Sequence, residues 1–224
     1  MSQLVKPVLV LVWKDILLEW RSRELVVSVL VFGLVVVVLF NFALNVAPQR
    51  SAILAPGILW VAFAFAATLA MNRAFVRERE QGGLDGLLLA PVSRDAIFLG
   101  KALSSFLFML TIEMVLLPIF SILLGFSALS LALIVTILLA TLGFALVGTL
   151  FSAIAVQTRS REIMLPVLFF PVILPVIIGA VEATSAALGF EGTVGLNRWL
   201  PLLGIFDALF IVICSWLFAV VVEE

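Results

Sequence analysis

A succession of apolar segments dominates this sequence, each about 20 residues or more, the length a helix needs to cross the ~30 Å hydrocarbon slab of a bilayer. They fall at Leu25 to Val46, Ala52 to Met71, Phe98 to Leu124, Leu129 to Val156, Ile163 to Val181 and Leu200 to Val222. A chain that is 64% hydrophobic and 12% charged lies far from soluble globules, in which about a quarter of residues are charged. The alternating pattern of a transmembrane barrel is absent. The expected fold class is all-α, a polytopic membrane protein of six transmembrane helices. One membrane domain covers residues 1–224, its six-helix bundle at 25–222, and no repeat, low-complexity segment or linker divides it.

Residues 1–24 read differently. Leu9, Trp13, Ile16, Leu17 and Trp20 fall within about 100° on a helical wheel, opposite Lys14, Asp15, Glu19 and Arg23. This is the pattern of an amphipathic helix lying in the membrane interface, its tryptophans at headgroup depth. The charges interrupt the apolar run and no small-x-small site follows, so a cleaved signal peptide is not expected and the whole chain should be mature.

The basic residues set the orientation. Four lie in the N-terminal segment (Lys6, Lys14, Arg21, Arg23), five in the second loop (Arg73, Arg77, Arg79, Arg94, Lys101) and two in the fourth (Arg159, Arg161), against Arg50 and Arg198 on the other side. The positive-inside rule then places both termini and the Arg73 to Lys101 loop in the cytoplasm.

Inside the spans, Ala62, Ala66, Ala70 and Ala74, and likewise Thr141, Ala145, Thr149 and Ala153, recur every four residues and form small-residue packing faces. The fifth span carries Pro166, Pro171 and Pro175. Pro171 and Pro175 are interior, each freeing a carbonyl, so a kinked helix is expected, either as a flexing cavity wall or as a static bend. Glu113 falls near the middle of the third span, where an ionised carboxylate costs on the order of 3 kcal/mol or more. It should be protonated or hydrogen-bonded to a hydroxyl such as Thr136 or Thr141, acting as helix-helix glue or as part of a substrate path. Asp207 lies about two turns inside the sixth span, at a depth expected to admit water. Glu113, Asp207, Pro171 and Pro175 are thus the candidates for a translocation path.

Chemistry within the chain is narrowly bounded. A phosphate-cradling loop needs glycines followed by Lys-Ser/Thr. Gly100-Lys101 is followed by Ala102, with Asp95 where the first glycine should stand. The chain is therefore not expected to be an enzyme, and any ATP must be hydrolysed by another subunit. It has no His and no Tyr, and Cys214 with Met71, Met109, Met114 and Met164 makes no spaced ligand set, so no metal site is expected. No nucleic-acid partner is expected either. The most specific feature is the second loop. Arg77, Glu78, Arg79 and Glu80 end the second span in water, Gly82-Gly83 breaks the helix, and Leu84, Leu87, Leu88 and Leu89 form a short apolar turn closed by Pro91. Ser93 reads as the N-cap of the third span, with Asp95 in its first turn. A solvated loop needs the charges but not the leucines, which call for a bilayer surface or a partner's groove.

An interfacial helix, six spans with both ends inside and a charged-then-leucine turn after the second span together resemble the ABC-2 class of exporter permeases. At residue level, Leu54 to Ala62, Phe75 to Pro91, Thr141 to Phe144 with Leu150 to Val156, and Arg161 to Leu168 resemble the cytochrome c maturation permeases, the haem exporter protein B family. The likeness runs from residue 1 to about residue 185. It implies an ABC-2 type permease fold in the cytoplasmic (inner) membrane of a bacterium. The implied partners are two copies of a cytoplasmic ABC ATPase, a second copy of this chain, a haem-handling membrane protein and a small single-span peptide, all within membrane lipid. Residues 76–91 would be the coupling helix seated in the ATPase, through Arg77, Glu78, Arg79, Glu80, Gly82, Gly83, Leu84, Asp85, Leu87, Leu88 and Pro91. ATP would bind the partner subunit, and haem would be a substrate of the complex rather than a cofactor of this chain. The work done would be haem export or release of the haem-loaded periplasmic chaperone. Two other readings stand beside this one: a proton-coupled secondary transporter using Glu113 and Asp207, which calls for inverted repeats that are absent, and a scaffold with no translocation path.

Overall fold

The computed structural model describes residues 2–21, 23–44, 48–80, 86, 91–126, 130–157, 161–190 and 193–221. Among these residues the chain forms seven long helices. They are α1 (Ser2–Arg21), α2 (Arg23–Leu44), α3 (Pro48–Glu80), α4 (Arg94–Leu124), α5 (Leu131–Gln157), α6 (Arg161–Ala187) and α7 (Thr193–Val221). Helices are the natural outcome of such a sequence, because every backbone N–H and C=O inside hydrocarbon must be paired within its own segment.

Five stretches are long and apolar enough to cross a membrane: Ile53–Met71 in α3, Arg94–Leu124, Leu131–Ala155, Leu165–Ala187 and Gly195–Val221. In α2 the apolar stretch Val26–Phe40 is shorter. With its family, described below, this makes the chain a multi-pass membrane protein.

The helix ends carry their own chemistry. Ser93 has extended backbone (φ −66°, ψ 146°) and its hydroxyl accepts from the Ala96 amide at 3.4 Å, capping α4, with Asp95 in the first turn. At the other end Gly125 adopts φ 72° and donates its amide to the Ser121 carbonyl at 3.0 Å, a left-handed cap that glycine accepts without strain. The C-terminal end of α6 closes in the same way at Gly189, φ 87°. α6 and α7 also run further than the apolar pattern suggests, so the expected loop Glu182 to Trp199 contracts to the few residues between Ala187 and Thr193. Glu182 is half-buried on α6.

α5 is the axis of the fold. It packs against α3, α4, α6 and α7, and every residue from Gly143 to Leu150 is buried. A helix buried on all sides must lie at the centre of its bundle. The small-residue faces serve this packing: Ala62, Ala66 and Ala70 of α3 and Thr141, Ala145, Thr149 and Ala153 of α5 are all buried. Gly148 leaves room for the Met71 side chain, whose sulfur fills the space a Cβ would need. An aromatic column ties the layers together, with Phe144 centred 5.9 Å from Trp60 and 6.1 Å from Phe169. Trp60 also donates its indole N–H to the Thr184 hydroxyl at 2.8 Å, joining α3 to α6.

Candidate functional site

The second loop leaves α3 after Glu80 and returns at Pro91. Arg77, Glu78, Arg79 and Glu80 lie on the last turn of α3, which at 33 residues is about 50 Å long and overruns the hydrocarbon slab. Gly82, Gly83, Leu84, Asp85, Leu87, Leu88 and Leu89, the heart of the expected coupling turn, lie outside the described residues. Gly86 is helical and exposed, and Pro91 is exposed just ahead of α4.

What the structure adds is the seat of this loop. The first two turns of α4 are fastened to both ends of the chain. On one side Arg94 donates Nη1 to the Ala219 carbonyl at 3.3 Å, Ser215 donates to Asp95 Oδ1 at 2.8 Å, and Phe98 packs on Phe218 with ring centres 5.4 Å apart. On the other side α1 lies along α4. Leu11 stands over Gly100, its Cβ 3.0 Å from where a glycine side chain would begin. Lys101 Nζ reaches Asp15 Oδ2 at 2.9 Å and Oδ1 at 3.1 Å.

Two expectations change here. Lys101, counted among the charges of an aqueous loop, sits in α4 and is only 7% exposed. Asp15, placed on the water-facing side of α1, is 9% exposed and turned into the protein. Leu11 and Val12 are buried beside it, whereas Leu9, Trp13 and Leu17 of the apolar stripe face outward. The physical reason is general to membrane proteins. In a soluble protein an apolar stripe seeks the core, but in a chain that meets lipid such a stripe can stay on the surface while a charge turns inward where a counter-charge waits. The signal was present in the sequence: a lysine one turn inside an apolar span needs a partner.

The interior carboxyl groups are held apart. Glu113 of α4 is 5% exposed and accepts from the Thr141 hydroxyl of α5, at 2.7 Å to Oε2 and 2.9 Å to Oε1. Thr136, the other candidate partner, instead donates to the Ala132 carbonyl one turn back at 2.8 Å. Glu113 borders a small cavity of about 10 Å³ walled by Val29, Phe63, Ala66, Ala70 and Met109. That is room for about one water, far below the roughly 300–1,000 Å³ of small-molecule sites.

Asp207 of α7 was expected to be reached by water. It is 4% exposed, and neither carboxyl oxygen has a hydrogen-bond partner among the described residues. It presses on Gly143 of α5, where a Cβ would stand 3.0 Å from Oδ1 and 3.3 Å from Val176. On this side α7 packs against α5 and α6, while Ile205 and Leu209 on its other side are exposed. Thr141 and Gly143 are two residues apart, about 200° around the helix, so α5 stands between the two acids.

Pro171 is exposed on the outside of α6 and Pro175 is half-buried, while Phe169, Ile173, Val176 and Ala180 face inward. α6 runs without a break from Arg161 to Ala187 through all three prolines. Of the four path candidates, Glu113 alone borders the space walled by Val29, Phe63 and Met109. Among the described residues no cluster of His, Cys, Asp and Glu is placed to hold a metal ion.

Comparison with known proteins follows the same outline. The family described as CcmB protein matches residues 6–224. The chain is 31% identical over 180 residues to Heme exporter protein B of Pseudomonas aeruginosa, covering 79% of this chain and 80% of that one. It is 32% identical over 174 residues to the protein of the same name from Rhodobacter capsulatus (77% and 78% covered), and 28% identical over 179 residues to that of Bradyrhizobium diazoefficiens (80% and 81%).

Proposed function

The chain belongs to the CcmB protein family, and from that premise we propose that it is the membrane subunit of a haem export system that serves cytochrome c maturation. In this reading α2 to α7 are six spans of an ABC-2 type permease in a bacterial inner membrane, α1 lies in the cytoplasmic interface, and both termini are cytoplasmic. The basic residues gathered at the N-terminus and in the second and fourth loops support that orientation. Residues 76–91 are the handle gripped by a separate ATPase, which is present in two copies beside two copies of this chain. A haem-handling membrane protein and a small single-span peptide complete the assembly.

The observation that carries the reading is the seat of the loop. Arg94, Asp95, Phe98 and Lys101, immediately after the handle, are tied to α7 and to α1. A pull on the loop is therefore delivered to the whole bundle instead of bending one helix. A chain without histidine, whose Glu113 pocket is smaller than a typical ligand site, suits a subunit that transmits force, with haem as cargo of the complex. The proton-coupled alternative gains nothing from Glu113 and Asp207, which α5 separates.

The test is co-purification with maturation. Leu87→Glu should leave the chain in the membrane, strip it of the ATPase and abolish cytochrome c maturation. Retention of the ATPase with normal maturation would refute the assignment.

A further inference from the structure

We propose that Asp15 and Lys101 are positioning residues of the coupling step: they pin α1 to α4 so that the two move as one body when the loop before α4 is pulled. The inference rests on the reading of that loop as the ATPase handle and adds what the handle moves.

Lys101 lies two turns beyond the start of α4 at Arg94, near the loop and among the buried residues Phe98 and Ala102. Its ammonium contacts both oxygens of Asp15, at 2.9 and 3.1 Å, and Lys14 approaches the same carboxylate at 3.3 Å. The side chains of Lys101 and Asp15 are only 8% and 11% exposed. A charge pair this sheltered separates reluctantly, because pulling it apart leaves each ion desolvated and alone. Leu11, one turn before Asp15 on α1, rests on Gly100, the neighbour of Lys101 on α4, where an added Cβ would stand 3.0 Å from it. Two contacts, one turn apart on α1 and adjacent on α4, oppose sliding of one helix along the other. On its other face α1 presents Leu9, Val10, Trp13 and Leu17, all exposed, to the membrane surface. Motion of α4 thus drags an amphipathic paddle through the lipid interface, and resistance at the interface is felt by α4.

The experiment uses the assembled complex in native membranes and reads ATP hydrolysis and cytochrome c maturation separately. Lys101→Met and Asp15→Asn should assemble and hydrolyse ATP at near the parent rate, while maturation falls by about tenfold or more, within the usual range of coupling between sites. The exchange Asp15→Lys with Lys101→Asp should recover most of it. A covalent pin supplies the readout that a merely structural pair would not move. Leu11→Cys with Gly100→Cys places two thiols within disulfide reach. Oxidation by diamide should leave the parent complex active and should restore maturation to Lys101→Met, with dithiothreitol reversing the rescue.

The proposal is overturned if the single variants mature cytochrome normally, if ATP hydrolysis and maturation fall together with the amount of complex, or if the disulfide stops turnover, which would mean that α1 and α4 must slide. Failure of the handle reading is distinct, since there Leu87→Glu would keep the ATPase and mature cytochrome normally, whatever the Asp15 and Lys101 variants do.

Discussion

Thr141→Val isolates what Glu113 contributes to the bundle. The substitution replaces one hydroxyl by a methyl of similar size at a fully buried position, so packing is preserved and a single interaction is lost. The hydroxyl stands 2.7 and 2.9 Å from the two carboxyl oxygens but has one hydrogen, so one bond is removed. Polar contacts between membrane helices average about 0.6 kcal/mol and reach about 1.7. The short distances, with a carboxyl group left unpartnered beside apolar walls, put the cost at about 1–2 kcal/mol. For a chain of this size that lowers the unfolding midpoint by about 2–8 °C, measurable as loss of the monodisperse peak after heating in detergent.

The control is Glu113→Leu. There Thr141 can turn its hydroxyl to the carbonyl one turn back, as Thr136 does, so little is lost. The double variant should then match Glu113→Leu, giving a coupling of about 1 kcal/mol or more. If the two costs simply add, or if Thr141→Val is as stable as the parent, the pair is not what joins α4 to α5. If instead Glu113→Leu folds and assembles normally but loses maturation, Glu113 acts in a substrate path and the glue reading fails.

Other outcomes are expected. Gly148→Ala puts a methyl where the Met71 sulfur lies. It should destabilise by about 1–3 kcal/mol, and adding Met71→Ala should relieve part of the strain, read by the same heating assay. Asp207→Leu removes two buried oxygens without partners among the described residues, so it should stabilise by about 1–3 kcal/mol with maturation retained. Loss of maturation at normal assembly would show that Asp207 serves something beyond the fold. Trp60→Phe keeps the ring in the aromatic column but gives up the bond to Thr184. A loss of about 1 kcal/mol is expected, absent in a Thr184→Ala background.

Much of the architecture was legible before any coordinates, and for a definite reason. In hydrocarbon, backbone pairing must be local, so an apolar run of sufficient length becomes a helix whatever surrounds it. The ends of α4 were legible too, since Ser93 and Gly125 act through their own backbone geometry. Glu113 could be narrowed to two hydroxyl partners because an apolar span offers few polar groups.

Which side of each helix faces which neighbour was not written in the pattern. An apolar face can meet lipid as well as protein, so the stripe of α1 pointed outward and its aspartate inward. Lys101 turned from a loop charge into a buried partner, and Asp207 came to lie dry against Gly143. Local chemistry made the helices; the pairing of Asp15 with Lys101, eighty-six residues apart, exists only because the folded bundle brings two distant turns together in a place that excludes water.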